Sequence, residues 1–281
     1  MPVLSTIGSA SARRFGLLYA GRLSPTAIDF LIVAGGGGGG YAGGGGGGGG
    51  GHRKFTSQAV TAGTYAIVVG AGGASGGNGI DSSFKGQTSI GGGAGGQIEQ
   101  NGNSGGSGGG GGVYNSGGPG TAGQGNGGGN EAGFSENWRA AGGGGGAGGS
   151  GSNATLNFVG PNSVTGGNGG SGASDPITGT AIYRAAGAGG SWLNDGSGDA
   201  YNGSTGTSTP GVNTGIGGGG GSYTYPPLPF SPQPGGAGNL GAVIISMPDN
   251  TQAKSYIGTA TVTVSGGKRI YNFTGSGSIT F

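Results

Sequence analysis

The side chains best suited to recognition are aromatic, and they lie in short segments between glycine runs. Both tryptophans of the chain, Trp138 and Trp192, fall in these segments. Aromatic side chains and arginine anchor many recognition surfaces, and loops on a rigid base are common binding sites. The candidate contact residues are Trp138, Arg139, Tyr183, Trp192, Tyr201, Tyr223, Tyr225 and Phe230. The alternative is that these rings cover the ends of the protein or pack against neighbouring subunits.

Catalysis has few candidate residues. The single histidine, His52, ends a nine-glycine run, and nothing around it suggests the carboxylate partner of a Ser-His-Asp triad. Glycoside hydrolysis needs paired carboxylates, for which Glu131 with Glu136 and Asp195 with Asp199 are the only pairs, without a richer acidic cleft. Gly-x-Gly-x-x-Gly matches are numerous, but none opens a helix in a βαβ unit. We therefore expect no enzymatic activity, no catalytic residues and no cofactor.

Metal binding has two weak candidates. The segment from Asp195 to Asp199 is spaced like the start of a calcium loop, but it lacks the bidentate Glu at the twelfth position. A second segment, from Gly76 to Asp81, resembles one copy of a calcium-binding nonapeptide that works only in tandem. The spacing favours an Asx-rich loop and a turn capped by Asp81, with no metal site. A cation at the first segment is the open alternative.

Composition excludes several classes of protein. The chain has 281 residues, of which 86 are glycine and none is cysteine, so it has no disulfide framework and no thiol chemistry. Its eleven basic residues are scattered and its net charge is +2, which does not favour nucleic acid as a partner. Glycine comes in blocks rather than at every third residue, which excludes collagen. No apolar stretch approaches the ~20 residues that span a bilayer, so no membrane insertion is expected.

The glycine runs predict an unusual bundle. Ordering glycine is entropically unfavourable, so the fold must use the close backbone approach that only glycine permits. Extended helices with three residues per turn point their amides and carbonyls sideways, and side by side they can satisfy one another. The Gly-dominated segments are 35–51, 70–79, 91–96, 102–112, 117–129, 142–151, 165–173, 187–190, 217–221 and 235–241.

Ordinary strands frame these runs. Residues 29–33, 64–69 and 242–246 are short β-branched or aromatic segments next to glycine, and we expect them to form one small sheet at one end of the bundle. Residues 259–273 predict a hairpin, and 278–281 a last strand. The predicted fold is therefore mostly irregular or β: a bundle of polyglycine II-type helices, a small sheet and a C-terminal β segment, with essentially no α-helix.

Three segments together carry a family resemblance. Residues 30–40, 65–73 and 238–245 resemble the opening, second and closing strands of the glycine-rich domain of bacteriophage tail fibres and tail-tip adhesins. The C-terminal 265–281 is similar to a β segment that usually precedes this domain, whereas here it follows. Residues 5–16 are similar to the start of several phage virion proteins. The resemblance implies a rigid glycine-helix platform whose variable loops touch the host surface.

This resemblance implies an organisation and partners. Residues 1–28 would attach the protein to the virion, 29–247 would form the platform, and 248–281 a C-terminal β segment. Partners would be other tail or fibre proteins and a host-surface receptor, either an outer-membrane protein or a polysaccharide, with homo-oligomerisation left open. The alternatives are a head-decoration or tail-scaffold protein, an ice-binding protein, or a secreted cell-wall protein. An ice-binding protein would need regular rows of Thr or Ala, whereas the segments between the glycine runs are irregular. Arg13 and Arg14 loosely resemble a twin-arginine export signal, but the apolar segment after them is short and is broken by Arg22, so we expect this segment to belong to the mature protein.

Overall fold

A computed structural model describes residues 23–135, 138–157, 163–194, 199–201, 214–221, 223–224 and 232–281. Within these ranges the chain forms short strands joined by extended segments, and no helix, which confirms the prediction of a mostly irregular or β fold with essentially no α-helix. The strands are β1 (Ala27–Val33), β2 (His52–Ala59), β3 (Thr64–Val68), β4 (Ser82–Phe84), β5 (Gln87–Ser89), β6 (Ala132–Ser135), β7 (Trp138–Ala140), β8 (Thr155–Asn157), β9 (Ser163–Thr165), β10 (Ala173–Asp175), β11 (Ile182–Arg184), β12 (Trp192–Asn194), β13 (Asp199–Tyr201), β14 (Tyr223–Thr224), β15 (Ala242–Pro248), β16 (Ser255–Ile257), β17 (Ala260–Ser265), β18 (Lys268–Phe273) and β19 (Gly277–Thr280).

Two five-stranded sheets enclose the main hydrophobic core. One has the order β17-β18-β15-β1-β2 and the other β16-β19-β3-β4-β5. Aromatic rings join them: Phe30 packs edge-on against Phe84, with 5.0 Å between ring centroids. The prediction of a single small sheet was wrong, since β3 lies in the second sheet while β1 and β15 pair in the first. The edge of β1 is instead taken by β2, which follows directly on the nine-glycine run.

The C-terminal strands complete both sheets. The predicted hairpin is confirmed as β17 and β18, joined by Gly266 and Gly267, whose φ angles are 56° and 72°. Positive φ at both central residues matches the right-handed twist of the flanking strands. Strand β18 pairs with β15, and β19, the predicted last strand, pairs with β3. Strands β18 and β19 are therefore hydrogen-bonded to strands formed earlier in the chain, and they carry β17 and β16 on their other edges.

The glycine runs are joined by backbone hydrogen bonds that repeat every third residue. Along 35–40, amides three apart donate to the same neighbouring run, over 2.8–3.0 Å: Gly35 and Gly38 to Ile80 and Gly77, Gly36 and Gly39 to Asn239 and Gly236, Gly37 and Gly40 to Gly48 and Gly45. The carbonyls of the same run also accept with a period of three residues, from the amides of the segments 92–95, 73–76 and 218–221. This period is the one expected of an extended helix with three residues per turn.

At some positions a side-chain oxygen, instead of a backbone carbonyl, accepts a hydrogen bond from an amide of the lattice. Asn78 Oδ1 accepts from the amide of Ala94 at 2.9 Å, and Asn130 Oδ1 from that of Gly117 at 3.0 Å. Asp81 does the same for Gly91 at 2.8 Å, so it links two segments ten residues apart, where a local turn cap was expected. The backbone donors are thus satisfied even at these partly exposed edges.

The bundle has two distinct ends. Run 35–40 leaves β1, the chain reverses around Tyr41, and run 44–51 returns to β2. We call the end beside the two five-stranded sheets the sheet end, and the end beside Tyr41 the distal end. Residues bonded near Gly44 lie at the distal end, and those bonded near Gly50 lie at the sheet end.

Candidate recognition surface

Segments distant in sequence meet at the distal end in two small sheets. One has the order β14-β12-β7-β6 and the other β13-β9-β8. In the first, Leu193 lies opposite both Arg139 and Tyr223. The distal position follows from the glycine lattice, because Ser191, just before β12, donates its hydroxyl to the carbonyls of Gly44 and Gly221. The fold therefore brings together the strands that carry Trp138, Arg139, Trp192, Tyr201 and Tyr223.

A small apolar cluster joins these two sheets. Its buried members are Ala140, Ala154 and Val164, and the partly buried side chains packed on it are Ala132, Trp138, Leu156 and Trp192. Both tryptophan rings therefore contribute to packing at this end. By packing on this cluster, the two rings hold β7 and β12 in place.

Arg139 is held by three neighbours. Its Nη1 donates to Glu131 Oε2 at 2.9 Å, and its guanidinium lies 3.9 Å from the centroid of the Tyr114 ring. Its aliphatic part crosses Gly133, its partner on β6, where a β-carbon would overlap it. Tyr114 itself is 40% exposed. The result is a preordered pair, an arginine stacked on an exposed aromatic ring, of the kind that recognition surfaces use.

Tyr183 is not at this surface. It lies in β11, just before Ala185, whose carbonyl adjoins Gly49 near the sheet end. The extended run from Ala185 to Ser191 then crosses the bundle, a span of roughly 19 Å at ~3.1 Å per residue. Tyr225 and Phe230 fall outside the described residues, as do Glu136 and residues 195–198 of the cation-loop candidate.

Among the described residues, no three His, Asp or Glu side chains are grouped so that they could hold a metal ion. The same part of the chain contains no helix long and apolar enough to cross a membrane.

The glycine-rich stretch with its closing strand matches a family model described as a glycine-rich domain, over residues 18–248. The chain belongs to this glycine-rich domain family. The match includes the whole lattice and both distal sheets, and it ends at the last residue of β15. Strands β16–β19 of the two large sheets lie beyond it. No curated protein matches the chain.

At its sheet end the glycine-rich domain carries a charged cluster that the sequence analysis did not single out. Lys54 Nζ lies 2.8 Å from Asp175 Oδ2, which ties β2 to β10. Burial lowers the pKa of the nearby His52 to about 4, and the positive charge of Arg184 also lowers it, against the opposing effect of Asp175. Arg184 is 1% exposed, and burial lowers its pKa too. Its isolated place in sequence, after Ile182 and Tyr183, gave no sign of this burial.

Proposed function

We propose that this protein is a non-enzymatic phage virion protein, a tail fibre or tail-tip adhesin, that binds a host-surface receptor with its distal end. The observation that carries the proposal is the convergence of strands from five separate segments at the end of the bundle opposite the two large sheets. A lattice bonded in three directions makes a stiff base. Binding through side chains on such a base loses little conformational entropy.

The resemblance of residues 30–40, 65–73 and 238–245 to phage adhesins supplies the biological setting, and membership of the glycine-rich family is consistent with it. The receptor is an outer-membrane protein or a surface polysaccharide. Tyr114 and Arg139 are the best-placed contact residues, because one is exposed and the other is held against it.

Two tyrosines allow a matched test. Tyr114 at the distal end and Tyr183 at the sheet end are both 40% exposed. Fluorescently labelled protein is titrated onto intact cells of a panel of Gram-negative bacteria, followed by the variants Tyr114→Ala and Tyr183→Ala on any strain that is bound. We expect Tyr114→Ala to weaken binding about tenfold or more, as removal of an interface anchor does, and Tyr183→Ala to leave it unchanged. Equal affinities for both variants would contradict a distal binding site.

A structural virion role is the second candidate, and the packing of both tryptophans into the distal cluster favours it. In a decoration or scaffold protein the distal end faces neighbouring subunits. The chain has no cysteine, so one can be introduced at exposed Ser116, near the distal end, or at exposed Ser174 in β10. On intact virions an adhesin reacts with a maleimide at position 116, whereas a scaffold is protected there and reacts only after disassembly.

A further inference from the structure

The face of the first large sheet that is turned away from the main core carries charged groups beside an apolar cluster. Residues directly opposite on paired strands share a face, so His52 and Lys54 lie on the same face as Val33 and Leu31. The β10–β11 hairpin covers this face, with Ala185 and Ile177 packed against the apolar side chains. Arg184 is thus enclosed between hairpin and sheet.

Among the residues that the structure describes, none offers an acceptor within hydrogen-bonding distance of a guanidinium nitrogen of Arg184. The nearest acid is already engaged, because Asp175 Oδ2 pairs with Lys54 and Oδ1 accepts from the amide of Ile177 at 2.8 Å. Thr214 Oγ1 and His52 Nε2, in the same region, are also buried and have no hydrogen-bond partner within the described part of the chain. Thr214 adjoins Arg184, since its carbonyl accepts from the amide of Ala185 at 2.6 Å.

The charges in this cluster do not cancel. Arg184 and Lys54 each carry one positive charge, Asp175 carries one negative charge, and His52 is neutral near pH 7. One positive charge is therefore left over, on a side chain that is 1% exposed. An isolated charge in an apolar interior is strongly unfavourable unless an opposite charge and hydrogen bonds accompany it.

We propose that a small monovalent anion, such as chloride, binds at the Arg184 guanidinium between β11 and the first large sheet. A single negative charge balances the cluster. The ligand is small because Arg184 is enclosed, and it is an acceptor because the guanidinium offers only donors. A polar surface pocket of about 300 Å³, lined by His52, Gln124 and Asn126, adjoins the cluster at His52. The anion acts as a structural ligand that holds the hairpin to the sheet.

Crystals of the unaltered protein soaked in sodium bromide test the site directly. Bromide replaces chloride and is located by its anomalous scattering. We expect a peak within hydrogen-bonding distance of the Arg184 nitrogens. Density at this place without anomalous signal, which identifies water, would overturn the proposal.

Thermal unfolding gives a second, independent readout. Chloride is varied from about 10 mM to 1 M against gluconate at constant ionic strength. We expect the melting temperature to rise by about 5 °C, as binding to the native state alone requires at a hundredfold excess over Kd. The rise should vanish in Arg184→Met and persist in Arg53→Met, which removes a charge from the opposite face of β2. A rise of equal size in both variants would contradict a site at Arg184, and if Arg184→Met does not fold, the bromide result decides.

Discussion

Gly217 lies against Gly47 so closely that a β-carbon on Gly217 would overlap the carbonyl oxygen of Gly47. The two residues belong to neighbouring runs of the lattice, and the amide of Gly47 donates to the carbonyl of Gly218 at 2.8 Å. Backbone meets backbone here, so no flexible side chain can move aside. Glycine at position 217 is thus required by space.

Two substitutions in the same glycine run should show that the need for glycine depends on the space at each position. Gly217→Ala should destabilise the protein by about 3 kcal/mol or more, because rigid overpacking forces the backbone apart. Gly219→Ala, two residues away, should be neutral or slightly stabilising, since nothing lies within 4 Å of its added β-carbon and alanine restricts the unfolded chain. Urea unfolding followed by tryptophan fluorescence measures both. Similar midpoints for the two variants would contradict the lattice.

The glycine blocks in the sequence predicted the lattice, because few residues other than glycine fit where backbones pack this closely. Strands β1, β3 and β15 were equally visible in sequence as β-branched and aromatic segments. Strand β2 was missed because its residues, from His52 to Ala59, are mostly polar and lack that signature. Because β2 occupies the edge of β1, the edge at which we expected β3 is already taken, and β3 lies in the other sheet.

The distal surface was predicted only as a set of residues. Trp138 and Trp192 were singled out by type, but their strands pair across more than fifty positions of sequence, which no local pattern encodes. Tyr183 was singled out in the same way, as an aromatic residue between glycine runs, but it lies near the sheet end. The buried Arg184 cluster had no signal at all, since its burial depends on the hairpin covering the sheet.

The Arg139–Glu131 pair should contribute to the stability of the distal sheets. Both side chains are about one-fifth exposed, so Glu131→Gln should cost about 1 kcal/mol. The control is Asp249→Asn, which removes the longer and more exposed contact to Arg269, at 3.4 Å, and should have a smaller effect. Amide hydrogen exchange of residues 138–140 should accelerate in Glu131→Gln alone. Unchanged exchange there would show that Tyr114 suffices to hold Arg139.

His52 should make stability depend on pH. Its pKa is about 4 in the folded protein against an ordinary 6.5, so between these values the unfolded chain binds a proton that the native protein does not. Stability is therefore full above pH 6.5 and falls towards pH 4, by up to about 3 kcal/mol. His52→Gln should reduce that fall, with Asp175, Lys54 and Arg184 unchanged around it. Urea unfolding at pH 7.0, 5.5 and 4.5 measures this, and parallel pH profiles would contradict it.

At the β17–β18 turn, the effect of a substitution on stability should depend only on whether the new residue tolerates a positive φ angle. Gly266 has a φ of 56°, and nothing lies within 4 Å of an added β-carbon there. Gly266→Asn should be tolerated, because Asn-Gly is the favoured pair in such turns, whereas Gly266→Val should destabilise by about 1–2 kcal/mol. Thermal melts of the two variants provide the comparison. Equal melting temperatures would mean that the hairpin unfolds locally before the rest.

The pairing of β1 with β15 and of β3 with β19 places the earliest described strands beside the latest. The run that follows β1 is likewise bonded on one side to residues 236–239. During synthesis the amides of Gly36 and Gly39 would bond only to water until residues 236–239 had left the ribosome. Folding should therefore follow synthesis instead of accompanying it, and should be slow, as contacts of such high sequence separation require.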